Sequence, residues 1–575
     1  MSFPLKVWAP YATDCRVLID GQRHDLTPGE QGWFGGEVEM QEGSRYGFEL
    51  LKDGEWSTPL PDPRTRSQPE GVHGLSEWVT ADFAWNDHDY AGRQLNEMVI
   101  YELHTGVFTP EGTLDAAAEK LDYLQDLGIN TVQLMPVQPF GGDRNWGYDG
   151  VELYAVHASY GGPRALKRFV DAAHQRGMAV LLDVVFNHFG PDGNYLGAFG
   201  PYTAGGSTGW GEVVNLSMAG SDHVRSFVLG AVRQWLEEFH VDGLRLDAVH
   251  AYDDRRAYSI MEEMRAVADE VQALDHRPRT LIAESDLNNP RLITPQSEGG
   301  FGLDGQWVDD IHHGLHSLVS GETEGYYCDY GTLKIYAEIL RRGWRFNNDY
   351  SEFRQKTHGR PLDLERTPSW RLVTYTTTHD QTGNRAAGDR PSMYLSPRQQ
   401  VLKATLTLLS PFTPMLFMGE EFGARTPFPF FCSHTDADLL QATRDGRRRE
   451  FANIGWDEND IPDPAAEETF ESAKLVWNFD EEQQEIHAAY KRLLALRAAH
   501  DIAHPRLDEW MVDHGAENDR WLAFGHGRFL VVANLSDQPV CAPYAGEALF
   551  GSGEVNPDGA STSLGAWSCA LLATR

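Results

Sequence analysis

Eight short apolar runs, each separated from the next by a stretch of helical periodicity, leave this chain few folds to choose from. The runs cover residues 98–103, 131–135, 179–184, 241–246, 280–283, 305–308, 371–376 and 415–418. Between them, segments such as 114–127, 164–175, 223–239 and 399–409 repeat apolar residues at spacings of three and four. Strands that alternate with helices require a parallel sheet, and eight such units predict a closed (β/α)8 TIM barrel. The helix expected over 482–498 ends that unit. Ahead of it, residues 1–90 alternate in short runs between Gly, Pro and Asp clusters, the pattern of a small N-terminal β-sandwich. Behind it, residues 501–575 read as a C-terminal β-sandwich domain, so the barrel with its loop insertions occupies 91–500. A Pro-rich stretch at 59–69 is expected to run extended over the surface, and the acidic stretch 457–468 to form a surface loop.

A chain of 575 residues with 41% hydrophobic and 23% charged residues is an ordinary multidomain globular protein. Its formal charge of −36 repels phosphate backbones and anionic lipid, so neither nucleic acid nor a membrane surface is an expected partner. Arg447, Arg448 and Arg449 form the one basic run of note and are read as a solvated or structural turn. The five cysteines are scattered without CxxC spacing, which predicts free thiols and no zinc site. The start of the chain lacks a basic region followed by an apolar stretch, and no run approaches the ~20 apolar residues of a membrane span, so a soluble cytoplasmic protein is expected. No metal or other cofactor is called for, and the sequence leaves the oligomeric state unknown.

Chemistry concentrates where four of the predicted strands end: DVVFNH at 183–188, GLRLDAVH at 243–250, AES at 283–285 and THD at 378–380. A barrel gathers consecutive strand ends at one rim, which turns scattered residues into a single pocket. Alternation along the fourth run points Arg245 and Asp247 the same way, toward the barrel axis if Leu244 and Leu246 face the helices. An adjacent guanidinium favours the ionised carboxylate, so Asp247 can act as a nucleophile. Glu284, one strand along, is the candidate general acid and needs a raised pKa from desolvation or a neighbouring carboxylate. Asp380 is a third anion that can stabilise an oxocarbenium-like transition state, and His379 is expected to supply a neutral hydrogen-bond donor. His188 and Tyr148 complete a sugar-sized site, one donating to a hydroxyl and one stacking on a ring face. Taken singly, each has an ordinary structural alternative: a buried ion pair, a helix cap, a loop aspartate or a core histidine.

Those four segments, in that order, resemble the sequence regions of the α-amylase family of glycoside hydrolases. The resemblance implies nucleophile Asp247, acid/base Glu284 and transition-state stabiliser Asp380, with Tyr148, His188, Arg245 and His379 around the reacting ring. YELHTGVFTPEGT at 101–113 is similar both to branching enzymes and to maltooligosyltrehalose trehalohydrolases. WVDDIHHGLH at 307–316, the following GETEGYYCDYG, HDQTGNRAAG at 379–388 and MGEEFGARTPFPFF at 418–431 resemble the trehalohydrolase branch. By that resemblance the substrate is a neutral α-glucan oligosaccharide ending in trehalose. The implied contacts are Arg245, Leu246, Ala248, Val249 and His250; Asp309, Asp310, Ile311, His312 and His313; and His379, Gln381, Thr382, Gly383 and Asn384. Gln381 follows THD where many amylases carry another residue, and it is assigned to the trehalose side. Two alternatives stand beside this reading: a glycogen branching enzyme, and a non-catalytic glycan-binding protein on a retired barrel.

Overall fold

The computed structural model describes residues 2–452, 461–500, 502 and 505–574. Eight parallel strands close into a barrel: β1 (Ile100–Leu103), β2 (Thr131–Leu134), β3 (Ala179–Val184), β4 (Gly243–Leu246), β5 (Thr280–Ala283), β6 (Gly305–Trp307), β7 (Leu372–Tyr375) and β8 (Thr413–Phe417). Each expected strand is present. They read as near-continuous apolar runs because both faces of a parallel barrel strand are covered. Alternation sorts the side chains. Ile100, Leu181, Ile282, Val373, Tyr375 and Met415 form an interior cluster, while Leu182, Leu244, Leu246 and Ala283 join the helix-side core with Phe169, Val228 and Trp235. Arg245 therefore points inward, and the β3–β4 register pairs it with Asp183.

The helices follow from their caps as well as from their apolar stripes. Six of them are α1 (Gly162–His174), α2 (Ser221–Arg233), α3 (Ile260–Asp275), α4 (Asp309–Ser320), α5 (Pro397–Leu408) and α6 (Glu481–Ala499). Reciprocal caps by Ser259 and Glu262, Ser396 and Gln399, and Asp480 and Gln483 satisfy the free N–H groups that start α3, α5 and α6. The sequence overstates helix continuity at two places. The stretch expected over 114–127 is two helices, Leu114–Ala118 and Leu121–Leu127. After α2 the chain widens into a turn closed by Phe239 N–H on the Gln234 carbonyl, an i to i+5 bond.

Two antiparallel sheets, of three and five strands, precede the barrel, and sheets of five and three strands follow it. The Pro-rich stretch is not a surface segment: Leu60, Asp62, Thr65 and Gln68 are buried, Asp62 accepts from the Tyr46 hydroxyl at 2.8 Å, and Arg64 donates to the Tyr154 hydroxyl at 2.6 Å. It lies between the first sheets and the barrel, where prolines hold an extended backbone without needing a ladder. Arg447, Arg448 and Arg449 sit in the helix Ala437–Ala452 and not in a turn. In the acidic stretch, residues 457–460 lie outside the described residues, 461–466 are a loop, and the rest begins the helix Glu467–Ser472. His73 of the N-terminal part reaches the loop after β3, contacting the Tyr195 hydroxyl at 2.7 Å and Asp192 at 2.9 Å. The first sheets thus brace a loop that leads directly from the barrel rim.

Leu246 is fully buried on the helix side, so it serves the core and does not touch a sugar. Leu246→Ala should lower unfolding free energy by about 2–5 kcal/mol in denaturant titrations and leave the affinity of the folded protein for a linear maltooligosaccharide unchanged. Weakened affinity at unchanged stability would contradict this placement.

Candidate active site

Arg245 is the floor of the site. Its Nη1 donates to both oxygens of Asp183 at 2.9 Å and to Asp247 Oδ1 at 2.7 Å, while Nη2 lies 3.6 Å from Glu284 Oε2. The guanidinium is buried against the Trp307 ring, 4.3 Å from its centroid. Asp247 completes its contacts by accepting from Asn187 Nδ2 at 2.8 Å, and Glu284 Oε2 accepts the Ala248 N–H at 2.6 Å. Ala248 holds that amide in place from a left-handed backbone, φ +40°, a conformation that costs a non-glycine residue about 1–3 kcal/mol and recurs at functional sites.

One cation faces several acids here, and the balance shows in their protonation. Burial pushes the Glu284 carboxyl up to about 8 against the pull of Arg245, with Asp247, Asp380 and Asp309 adding to the rise. Burial likewise raises Asp183 to about 6 despite the adjacent guanidinium. Glu284 thus holds a proton at neutrality while Asp247 keeps the closer guanidinium contact, a division of roles two neighbouring carboxyls need for acid and nucleophilic work.

His379, Tyr148 and Glu102 line the opposite wall. His379 Nδ1 is 2.7 Å from Glu102 Oε1, its backbone N–H donates to Glu102 Oε2 at 3.1 Å, and its Nε2 lies 2.9 Å from the Tyr148 hydroxyl. Burial opposes charge on this imidazole, yet Glu102 and Asp380 hold it at about 9. The neutral donor expected from sequence is therefore a cation, because an acid inside β1 faces it. His188 Nε2 contacts the Tyr148 carbonyl at 2.9 Å. Trp146 and Phe428 stack at 5.3 Å behind them.

A cleft of about 290 Å³ is lined by Tyr148, His188, Asp247, Ala248, His250, Glu284, His379 and Asp380. Trp146, Asn187, Thr208 and Trp210 share it. Asp380 is the most open of the three acids, with 42% of its side chain accessible, compared with 18% for Glu284 and 13% for Asp247. The structure therefore brings the three acids to one opening. Arg245 supports them from below.

Other expected contacts are elsewhere, for geometric reasons. Asp309 to His313 span more than one turn at the start of α4, and successive side chains on a helix are ~100° apart, so they cannot all face one cleft. Ile311 enters the core, His312 is buried against the Tyr327 hydroxyl at 3.0 Å, and Asp310 accepts from Asn288 at 2.7 Å and Tyr330 at 2.6 Å. His313 packs among tyrosines, its ring centroid 4.5 Å from that of Tyr326, and its buried Nδ1 has no hydrogen-bond partner. Asp309 is bound to Tyr375 and, at 3.1 Å, to Gln381 Nε2. Gln381 caps its own helical turn, Oε1 accepting from the Thr378 N–H at 2.8 Å and hydroxyl at 2.7 Å, so T-H-D-Q is a capping box whose last residue also orients Asp309. Val249 and Thr382 are buried, and Asn384 is exposed and reaches Asp380 at 3.4 Å. Gly383 lies under Trp146: a Cβ there would fall 2.0 Å from the indole ring. It is part of the wall.

Sequence reasoning missed Glu102, Trp146 and Trp210. Glu102 left a signal, since alternation from Ile100 turns this acid into the barrel interior, where an unpaired charge is not tolerated.

A closed parallel barrel with this cluster of acids at its rim defines a glycosidase of the α-amylase class, and the alpha amylase catalytic-domain family matches residues 62–198. A domain of unknown function, DUF3459, matches residues 505–571. A malto-oligosyltrehalose trehalohydrolase from Mycobacterium tuberculosis is 48% identical over 99% of this chain and 98% of its own length. One from Saccharolobus solfataricus is 39% identical over 96% and 94%. A solved Salmonella typhimurium protein assigned as an alpha amylase superposes with a TM-score of 0.90 at 34% identity, covering 100% of this chain and 98% of that one. The chain belongs to the malto-oligosyltrehalose trehalohydrolase family.

If the anion of Asp247 contributes to the protonation of Glu284, Asp247→Asn should lower the Glu284 titration midpoint from about 8. Carbon-13 NMR of labelled glutamate carboxyls reads this directly. An unchanged or raised midpoint would show that the two acids do not sense each other.

Proposed function

We propose that this protein is a retaining glycoside hydrolase that cleaves the α-1,4 bond joining a maltooligosyl chain to a terminal trehalose. The products are trehalose and a maltooligosaccharide shortened by that unit. The observation that carries the reading is the placing of Glu284 beside an Arg245-bound Asp247 at one opening, in a chain related over nearly its full length to trehalohydrolases.

In the first step Glu284 gives its proton to the leaving trehalose oxygen while an Asp247 oxygen attacks the anomeric carbon. A glycosyl-enzyme ester forms as the glycosidic bond breaks. Water then enters, gives a proton to Glu284 and opens the ester, so the new anomeric centre keeps the starting configuration. Asp380, oriented before reaction, stabilises positive charge on the flattened ring without reorganising. His379 serves the ring hydroxyls and Tyr148 packs on the ring face, while His188, whose ring nitrogens meet Asn187 and the Tyr148 carbonyl, holds that tyrosine in place. The half-buried His313, with its unpartnered Nδ1, is our candidate for reading the second, 1,1-linked ring, since a site that leaves a buried polar group unpaired discriminates against a competitor.

A branching enzyme would pass the same ester to a sugar 6-hydroxyl, and a glycan-binding scaffold would have no need of the paired acids. The likeness over nearly the full chain to proteins named trehalohydrolases supports hydrolysis. Five unpaired cysteines, two of them exposed, suit a reducing compartment, and we place the enzyme in the cytoplasm. Among the described residues no helix is long and apolar enough to cross a membrane.

Incubation with maltooligosyltrehalose should release trehalose, with proton NMR showing the new reducing end first as the α-anomer. New α-1,6 branches in amylose without trehalose would favour the transferase. Asp247→Asn should reduce turnover roughly 10⁴-fold or more with folding intact. Because Glu284 acts while protonated, kcat/KM should fall as pH rises through about 8, and Glu284→Gln should remove that limb along with activity.

A further inference from the structure

Glu102 is a fully buried acid aimed at the reacting wall to which the proposed mechanism gives no task. It stands in the middle of β1, and both its oxygens are spent on His379, one on the ring and one on the backbone N–H. The hydrogen-bond chain running outward from it fixes the protons. Asp183 accepts Arg245 on both oxygens, so the Tyr148 hydroxyl, 2.7 Å from Asp183 Oδ2, donates to it. Tyr148 then has only lone pairs left for His379 Nε2 at 2.9 Å, and that nitrogen must carry a hydrogen. Glu102 Oε1 faces Nδ1 at 2.7 Å and helps hold the imidazole at about 9 against its burial, so near neutrality that nitrogen carries one too. Both ring nitrogens are donors.

We propose that Glu102 is a positioning residue that keeps His379 doubly protonated, so that Nε2–H is a charge-assisted donor at the reacting wall while the pair as a whole adds no net charge beside the cationic transition state. The first half follows from the donor chain. Charge neutrality accounts for the second: an imidazolium alone would oppose the developing oxocarbenium ion, and an adjacent carboxylate with no other charged partner offsets it. The charged or titratable groups around the ring are Glu102 from β1, Asp380 beside it, Asp183 and Arg245 from β3 and β4, Tyr148 from its loop, and His104, also buried and itself held at about 4 by burial. Among them Glu102 alone bonds Nδ1, so its removal frees that edge of the ring.

With Gln in its place, the buried imidazole loses its counter-charge and becomes neutral near neutrality. The Gln oxygen accepts the His379 backbone N–H and its NH2 group faces Nδ1, so Nδ1 becomes the acceptor and Nε2 keeps its hydrogen as a neutral, weaker donor. This inference rests on the glycosidase reading above, and the tests separate the two. Nitrogen-15 NMR of histidine-labelled wild-type protein should show both His379 ring nitrogens protonated from pH 6 to 8. A single ring N–H at pH 7 would overturn the proposal whatever the enzyme hydrolyses. In hydrolysis of maltooligosyltrehalose, Glu102→Gln should lower kcat at pH 7.5 by about 3- to 10-fold, the loss expected when a charge-assisted hydrogen bond becomes a neutral one. Its optimum should move to acid pH, where His379 regains its proton. Glu102→Asp, which keeps the charge, should retain a profile of wild-type shape. A Glu102→Gln profile parallel to wild type at every pH would reduce Glu102 to a packing role and overturn the assignment. If Glu102→Gln does not fold, the wild-type nitrogen shifts and the Glu102→Asp profile decide. Absence of turnover by wild type itself would sink the functional reading and leave the charge of His379 to the NMR result.

Discussion

Arg245 carries one positive charge into the barrel and meets Asp183, Asp247 and Glu284 there, so the carboxylates cannot all be ionised at equal cost. Distance decides which one yields. Asp247 sits 2.7 Å from the guanidinium and Glu284 3.6 Å, and Glu284 is the acid that burial drives up to about 8. Removing Arg245 would leave Asp183 in the interior without its counter-charge, with the Tyr148 hydroxyl on Oδ2 as the hydrogen bond that stays. The barrel makes the arrangement possible by pairing Asp183 and Arg245 across β3 and β4 while Leu244 and Leu246 cover the outer face.

A second ion pair balances the first across the cleft. Glu102 and His379 mirror Asp183 and Arg245, and the Tyr148 hydroxyl bridges the two, bonded to Asp183 on one side and His379 on the other. Both pairs are buried, where charge is expensive unless matched and hydrogen-bonded, which fixes their geometry more tightly than packing alone. Trp146 on Gly383 and Phe428 backs this wall with close-packed rings. His73, reaching from the N-terminal sheets to Tyr195 and Asp192, anchors the loop that leaves the His188 segment. The chemistry thus sits on strand ends, and the loops that shape the opening are tied down from outside the barrel.

The barrel was legible because a parallel strand covered on both faces must be apolar throughout, and eight such runs stood out from amphipathic helices. Asp247, Glu284 and Asp380 were legible for the opposite reason: they interrupt or end those runs with charge. What failed did so where local pattern and three-dimensional setting part company. A contiguous motif was read as a contiguous surface at 309–313, yet a helix turns Ile311 and His312 inward. Prolines at 59–69 suggested exposure, but extended backbone fits equally well between packed layers. For Gln381, assigned to substrate, the spacing from Thr378 also marks a helix cap that the motif alone did not suggest. Glu102 was passed over because β1 looks like one more apolar strand until its alternation is followed residue by residue.

The account requires that Asp247 and no other carboxylate become esterified during turnover. A slow fluorinated glycosyl donor, mixed with the protein and followed by proteolysis and mass spectrometry, tests this directly. The predicted result is one sugar-sized mass increment on the peptide containing Asp247, chased off by excess acceptor. Label on the peptide containing Glu284 or Asp380, or turnover with no labelled intermediate and an inverted product, would contradict it.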